Sequence, residues 1–512
     1  MAALLQTQEK IKTFEDLEPI LRDLKLEGKK IVHCHGVFDL LHPGHLRHLQ
    51  EAKQQGDLLV VSITPDRFVN KGPGRPVFTE ALRLEQLAAI ALVDYVVLND
   101  SPDAVSAIKK LRPSLYVKGI EYHNHHADIT GKISTEAAAV EEVGGSIYYT
   151  DDLVFSSSSL INRFLDSSQE RVQPFIDELK KKCSLQEILD NIEALSTLNV
   201  LVIGDAIIDE YQYVEPLGQS GKGVHMTALC KDRELFLGGS LIIANHLSNF
   251  AKQVTLLSAI NKECPHLPFI HSSLHPHVTP KFLYSDLPTL IKKRYLSKDG
   301  KSLTKLFETY SVNEPLVGMD QTEEAIRYLQ EETSHFDLVL VCDFGNGFTN
   351  PYLIEAISQL SNFLAINTQT NGGNRGYNVI THYPHADFIS VNEPELRLAA
   401  HDRYSSLERV AQDISGLLEC PQISITRGVQ GVYYYTAGET ISIPAMTSDA
   451  VDRVGAGDSY FALAALCASK GYSPWISGFI GSVAAALDVQ IVGNREAIQK
   501  VNLCKYVTRL FK

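Results

Sequence analysis

The sequence predicts two successive α/β domains, each built on a mainly parallel sheet with helical crossovers. Three observations predict this. The chain has 512 residues, too many for one hydrophobic core. Short apolar strands alternate with helical stretches in two separate regions, the pattern of a parallel sheet. Between those regions lies a polar, charged, helical stretch that lacks the alternation. On this reading residues 1–165 form the first domain, 166–197 a helical linker, and 198–512 a second, larger domain.

The elements follow in order. Thr13 to Leu26 reads as an amphipathic helix, with Thr13 as N-cap and Asp16 in its first turn. KKIVHCHGVF is a strand running into a glycine, LRHLQEAKQQG a helix ending at Gly56, and DLLVVSITPD a second strand. RLEQLAAIALV, DYVVLND, DAVSAIKKLRP and LYVKG continue the alternation, which fits one Rossmann-like domain. The stretch from Phe164 to Asn199 is polar and helical, and Ser184 with Glu187 makes a capping box there. From VLVIGDAIID onward the alternation resumes, with VTLLSAI, DLVLVCDFG, FLAINTQ, ADFISVN and QISITRG as strands.

Composition narrows the function classes. Apolar residues are 44% and charged residues 21%, an ordinary globular balance. The formal charge of −14 argues against a nucleic-acid surface, which needs a basic face, but not against a nucleotide pocket. The eight cysteines form no CxxC pair and read as reduced core thiols. The polar N-terminus has no secretory h-region, and no apolar run approaches the roughly 20 residues that span a bilayer. A cytoplasmic protein with no membrane partner is expected.

The first chemical signal is GVFDLLHPGHLRHL, where a strand ends and a helix begins. Backbone N–H groups and the positive helix end face a bound anion at such a junction. His42 and His45 can donate to phosphate oxygens as charge moves onto them, which suits nucleotidyl transfer. Gly36 lets the backbone approach a nucleotide closely. A bare HxxH match would fit two surface histidines at a helix start; the whole string is far more specific. Zinc ligation lacks a third ligand at the right spacing. HNHHAD, His123 to Asp128, reads as a polar active-site loop, with a metal site as the weaker alternative.

GVFDLLHPGH resembles the cytidylyltransferase-like family motif GxFDxxHxGH, over roughly residues 30–165. The resemblance implies an HxGH nucleotidylyltransferase fold, with His42, His45 and Lys71 (of NKGPGRPV) as catalytic residues. It implies nucleotide contacts from Gly36, Phe38, Arg83, Lys118 (of YVKGIEY, with Gly119) and the serine run Ser156, Ser157 and Ser158 of FSSSSLINR. The resemblance implies ATP or CTP as the nucleotide, and with only the serine run of the closing RTxGIST motif present the sequence does not choose between them.

The second signal is DRVGAGDSYFALAAL. Gly455, Ala456 and Gly457 at a helix start form an anion hole, and Asp458 is placed to take a proton from an attacking hydroxyl. A glycine turn capped by an aspartate is the plainer alternative. The string resembles the DTxGAGD signature of the ribokinase (PfkB) carbohydrate kinases, from about Val200 onward. The resemblance implies a ribokinase-like α/β fold that uses ATP and Mg²⁺. It implies substrate contacts from Asp209, Gly238, Gly239 and Asn245. Asn392 and Glu395 of NEPE are implied near Mg²⁺, and Thr426 and Gly428 of ITRG beside the nucleotide. Three positions depart from the family: Ile242 stands three after the second glycine where asparagine is usual, Asn346 replaces the lysine of DYGKG, and Val454 the usual threonine.

Together the halves are similar to bifunctional heptose kinase/adenylyltransferases, in reversed domain order. The similarity implies a sugar or sugar-phosphate kinase joined to a nucleotidylyltransferase, making a nucleotide-activated sugar of the ADP-heptose type, and a homo-oligomer. Two alternatives stand beside it. One is a nucleotidylyltransferase carrying a catalytically silent kinase-like scaffold, motivated by Ile242 and Asn346. The other is a non-enzymatic nucleotide-binding regulator, which the intact HPGH disfavours.

Overall fold

The computed structural model describes residues 7–69, 72–119, 132–150, 169–299, 302–311, 317–374 and 376–511. The chain divides into two compact units, Met1–Gln169 together with Cys504–Lys512, and Glu170–Leu503.

The first unit is a six-stranded sheet of β1 (Ile11–Lys12), β2 (Ile31–Gly36), β3 (Leu58–Ile63), β4 (Tyr95–Leu98), β5 (Leu115–Gly119) and β6 (Ser146–Thr150), in the order β1-β4-β3-β2-β5-β6. All its pairings are parallel. β3 and β4 wind to one side of β2 and β5 and β6 to the other. The strand order therefore reverses between β2 and β5, where ligands bind at the carboxyl ends of such sheets. Leu59, Val61, Val96 and Val117 bury one face against Leu49, Ala52, Leu87 and Ala88 of the helices Pro43–Gln54 and Glu80–Ala88. The first helix, Phe14–Leu26, starts at a reciprocal capping box, as its sequence predicts: Thr13 Oγ1 accepts from Asp16 N at 3.1 Å, and Asp16 Oδ2 from Thr13 N at 3.3 Å.

The helices Gln169–Lys182 and Leu185–Ala194 precede the second sheet. Ser184 Oγ caps the second of them, accepting from Glu187 N at 3.1 Å.

The second unit has a nine-stranded sheet in the order β11-β10-β7-β14-β15-β16-β17-β18-β19. These are Val278–Ser285, Gln253–Asn261, Asn199–Gly204, Leu338–Asp343, Phe363–Thr368, Phe388–Asn392, Gln422–Thr426, Val432–Thr436 and Thr440–Ile443. Along that order every pairing from β11 to β17 is parallel, and only β18 runs against its neighbours β17 and β19. Strands such as Leu338–Asp343 are buried along their whole length, because helices cover both faces. The helices Ala456–Ser469 and Pro474–Asp488 pack as an almost wholly buried pair on one of them.

A four-stranded sheet, absent from the sequence expectation, belongs to the same unit. Its order is β13 (Ser302–Tyr310), β12 (Leu290–Asp299), β8 (Ala206–Gln219) and β9 (Met226–Gly239). β8 and β9 form a long antiparallel hairpin buried only at its root. Its outer half is exposed, Leu217, Met226 and Leu229 included, and these scattered apolar residues make no run that reads as a strand. All eight cysteines are free thiols, and all but Cys230 are buried. Among the described residues no helix is long and apolar enough to cross a membrane.

Candidate active sites

In the first unit, the turn after β2 carries both histidines. His42 is the N-cap of the helix Pro43–Gln54, and its Nδ1 accepts from Gly44 N at 3.1 Å. That bond leaves the proton of a neutral imidazole on Nε2. Nε2 is buried and has no hydrogen-bond partner among the described residues. Burial holds the His42 pKa below the usual histidine value, so the ring is neutral near pH 7. The His45 ring stacks on it at 4.0 Å, and Phe38 packs on His45 at 5.2 Å. Phe38 sits at φ 49°, a left-handed conformation rare for a large side chain. A Cβ at Gly36 would lie 3.1 Å from the Phe38 ring, so the glycine makes room for that turn.

Asp39, given no role by the sequence, ties this turn to the next loop. Its carboxylate accepts from Arg75 Nη1 at 2.6 Å, Val77 N at 2.7 Å and Phe78 N at 3.1 Å. Both Asp39 and Arg75 are buried.

Arg83 departs from its expected phosphate contact. It has no exposed surface, and it donates to Phe78 O, Val37 O, Thr64 O and Asp66 Oδ1 at 2.6–3.1 Å. With four of the five guanidinium N–H groups spent inside the protein, it clamps three loops together rather than presenting charge to a ligand. Lys118, near the end of β5, pairs with Glu136 at 2.9 Å, and both are mostly buried. Lys71, Ser156, Ser157, Ser158 and the stretch His123 to Asp128 lie outside the described residues.

In the second unit a cleft of about 300 Å³ opens at the carboxyl ends of the parallel strands, under the root of the small sheet. Asp209, Gly239, Asn392, Glu395, Thr426, Gly455, Gly457 and Asp458 all line it. The diglycine is a space requirement. A Cβ at Gly238 would lie 2.7 Å from Asp209 Oδ2, and one at Gly239, at φ +57°, 2.5 Å from the Asp205 carbonyl.

Asp458 lies in the first turn of Ala456–Ser469 but does not cap it; the N-cap is Gly455, at φ 92°, with no side-chain cap bond. Asp458 Oδ1 accepts from Gln369 Nε2 at 3.0 Å. Burial pushes its pKa up to about 7, helped by the Asp209 charge and opposed by Lys292. That value suits a general base at neutral pH.

Two cations missed by the sequence reading stand on the cleft wall. Lys292 and Arg294 are alternate residues of β12 and so share a face. Lys292 pairs in register with Asp209 on β8, and Arg294 Nη1 donates to Asp209 Oδ1 at 2.5 Å. Burial lowers the Lys292 pKa, against the attraction of Asp209, Asp205 and Asp458. The K-x-R alternation was the available signal, but only the fold shows what it faces.

Asn392 and Glu395 form a reciprocal capping box on Glu393–Ala399. Glu395 Oε2 accepts from Asn392 N at 2.9 Å, Oε1 from Thr370 N at 3.0 Å, and Asn392 Oδ1 from Glu395 N at 2.8 Å. Each carboxylate oxygen keeps one lone pair, so the pair fits a hydrated Mg²⁺ held through water. Among the described residues no group of three or more His, Cys, Asp or Glu is placed to hold a metal ion directly. Thr426 joins Asn392 in lining a second, more open cleft of about 860 Å³, where Gly428 lies.

Asn245 departs from its expected substrate contact. It is buried in the helix Ser240–Ser248, its Nδ2 donating to Ser273 O at 2.9 Å and its Oδ1 accepting from His275 N at 2.8 Å. Both ends of the amide are spent holding a neighbouring turn. Asn346 donates its Nδ2 to Asp205 at 3.4 Å. Asp205 is buried and raised to about 7 by desolvation and by Asp343.

The two regions that carry these sites each match a known family. Residues 33–164 match the cytidylyltransferase-like family and residues 373–500 the pfkB family of carbohydrate kinases. The chain is similar to the "Bifunctional protein HldE" of Syntrophotalea carbinolica, 37% identical over 170 residues that cover 32% of this chain and 33% of the relative. It is also similar to that of Geobacter metallireducens, 44% identical over 115 residues covering 22% and 24%. The chain thus spans a third or less of the curated relatives it matches. The structure of Escherichia coli phosphofructokinase-2 in complex with potassium superposes with a TM-score of 0.50, at 13% identity, over 62% of this chain and 100% of that one. That likeness concerns the fold alone. The chain therefore carries a cytidylyltransferase-like α/β domain followed by a ribokinase-like α/β domain.

Proposed function

We propose that the chain is a bifunctional enzyme that phosphorylates a sugar or sugar phosphate in its second domain and activates a sugar phosphate with a nucleotide in its first, giving a product of the ADP-heptose type. The observation that carries this reading is the pairing, in one chain, of an HPGH turn whose buried His42 Nε2 has no hydrogen-bond partner among the described residues with a cleft whose Asp458 is poised near neutrality beside a helix start that no side chain caps.

In the transferase, a phosphate oxygen of the sugar phosphate attacks the α-phosphorus of ATP or CTP, the α–β bridging bond breaks, and pyrophosphate leaves. His42 and His45 donate to the phosphate oxygens that gain charge, and a neutral His42 with its proton fixed on Nε2 is ready to do so. Arg83 and Asp39 act as positioning residues, holding the surrounding loops. Gly36 and Phe38 shape the nucleotide wall, and Lys118, Lys71 and Ser156 to Ser158 supply further phosphate contacts.

In the kinase, Asp458 takes the proton of the attacking hydroxyl, the hydroxyl oxygen bonds to the γ-phosphorus of ATP, and ADP leaves. The amides of Gly455, Ala456 and Gly457 receive the transferring phosphoryl group. Asn392 and Glu395 would hold Mg²⁺ through water, and that ion supplies charge neutralisation of the nucleotide phosphates when bound. Thr426 and Gly428 lie on the nucleotide side. Asp209 faces the sugar, Gly238 and Gly239 stand beside it on the substrate side, Gly238 leaving space for the Asp209 carboxylate, and Lys292 and Arg294 make the cleft fit a substrate that already carries a phosphate.

The test is a pair of assays on the purified chain: ATP consumption against a panel of sugars and sugar phosphates, and pyrophosphate release from each NTP with a sugar phosphate. Release of pyrophosphate together with phosphorylation of a panel member is expected. A second reading, a silent kinase-like scaffold, rests on Asp209 being already paired with Arg294. Pyrophosphate release without any phosphorylation would favour it, and neither activity would favour a nucleotide-binding regulator.

A further inference from the structure

The first compact unit is completed from far along the chain, by Cys504–Lys512. Of these, Cys504–Phe511 belong to the helix Lys500–Phe511. Tyr506, Val507, Arg509 and Leu510 are all buried. Two of them, Tyr506 and Arg509, meet one short loop. The Tyr506 ring lies where the side chain of residue 72 would be: a Cβ there would meet its Cδ2 at 2.7 Å and its Cε2 at 3.0 Å. Gly72 also sits at φ +88°, so both backbone and space demand a glycine. Arg509 Nη1 donates to Pro73 O at 3.1 Å, and its guanidinium lies 5.5 Å from the centre of the Tyr506 ring.

The far end of that loop is the segment bound to Asp39. Arg75, Val77 and Phe78 donate to the Asp39 carboxylate, and Phe78 O accepts from Arg83. Asp39 stands in the same turn as His42. Contacts therefore connect Arg509 and Tyr506, through the Gly72–Phe78 backbone, to the turn that carries the histidines: Tyr506 and Arg509 meet the loop at Gly72 and Pro73, and Arg75, Val77 and Phe78 tie it to Asp39.

We propose that Tyr506 and Arg509 are positioning residues of the first site: they seat the Gly72–Phe78 loop against the GVFDLLHPGH turn, and nucleotidyl transfer depends on them although they lie more than 400 residues away in sequence. The proposal rests on the transferase reading above. Neither residue touches the reacting atoms; each acts through the loop.

Point variants of the full chain test it by two readouts, pyrophosphate release and backbone hydrogen exchange. Arg509→Ala and Tyr506→Ala should speed exchange at residues 72–78 while leaving β3 and β4 protected. They should lower kcat/KM for pyrophosphate release by roughly ten- to a hundredfold, the scale of a small misplacement of catalytic groups. Arg509→Lys, which keeps a donor for Pro73 O, should recover most of both. Wild-type exchange and transfer in both alanine variants would overturn the proposal. So would a uniform rise in exchange across the whole unit with no recovery by Arg509→Lys, which marks general loosening. If the unmodified chain releases no pyrophosphate from any NTP, the transferase reading fails by itself. The exchange at 72–78 then still decides whether the segment seats the loop.

Discussion

Arg294 holds Asp209 by a 2.5 Å bond from Nη1 to Oδ1, and both residues are buried on the wall of the second cleft. The Asp209 charge keeps the guanidinium protonated despite the opposing effect of burial. Removing one partner of such a pair leaves a buried charge uncompensated, which costs roughly 3–5 kcal/mol. Arg294→Ala should therefore lower the unfolding free energy of the second unit by about that amount, read by denaturant titration. The double variant Asp209→Asn/Arg294→Met should regain most of the stability but not phosphoryl transfer. Equal stability of Arg294→Ala and wild type would show that the pair does not hold the cleft wall.

Asp458 supplies a pH signature. Its pKa is raised to about 7, so the basic form is present above that value and is lost as pH falls through it. Phosphoryl transfer should accordingly decline on acidification through pH 7. The linked stability effect runs the other way: a carboxyl raised above its ordinary 3.8 contributes stability below that value and loses it as pH rises through about 7. Asp205 titrates in the same range, so the discriminating measurement is the kcat profile of Asp458→Asn beside that of the wild type. A wild-type profile flat through pH 7 counts against the base assignment.

The same substitution separates chemistry from architecture. The helix Ala456–Ser469 is capped at Gly455 without a side-chain bond, so Asp458→Asn removes no cap. Melting should not fall, and should rise above pH 7 where asparagine escapes the cost of a buried charge, with phosphoryl transfer lowered by roughly two orders of magnitude or more. A large fall in melting temperature at preserved activity would reverse that assignment.

His42 carries two duties that different substitutions divide. His42→Asn retains a good N-cap acceptor for Gly44 N, whereas His42→Ala loses it at about 1 kcal/mol. Both lack Nε2. Pyrophosphate release should fall by about 10²–10³ in each, the cost of losing one preorganised donor. Only the alanine variant should also melt earlier. Near-normal release from His42→Asn would leave the residue a cap and nothing more.

The βα alternation, the polar helices before the second sheet and both glycine- or histidine-bearing turns were legible because each is a local pattern. The chemistry of HPGH and GAGD depends on residues within one turn of a helix start. What escaped was set by distant partners. Arg83 looks like a phosphate ligand until Val37, Phe78, Thr64 and Asp66 close around it, and Asn245 looks like a sugar contact until Ser273 and His275 take both ends of its amide. Lys292 and Arg294 read as ordinary charges on a polar strand, because nothing near them in sequence says that Asp209 lies across the ladder. The small sheet stayed hidden for the same reason: only the root of its hairpin is buried, and the exposed Leu217, Met226 and Leu229 of the outer half are scattered rather than alternating.

The discontinuity of the first unit also has a meaning in time. A ribosome adds roughly 5–20 residues per second, so synthesis of residues 170–503 separates the emergence of the HPGH sheet from that of Tyr506 and Arg509 by on the order of half a minute. During that interval the earliest-made sheet waits for a piece not yet translated, and the later-made domain gathers all of its own residues first. Birth order and completion order are thus inverted in this chain: a fragment ending at Leu503 contains every residue of the second unit and lacks part of the first.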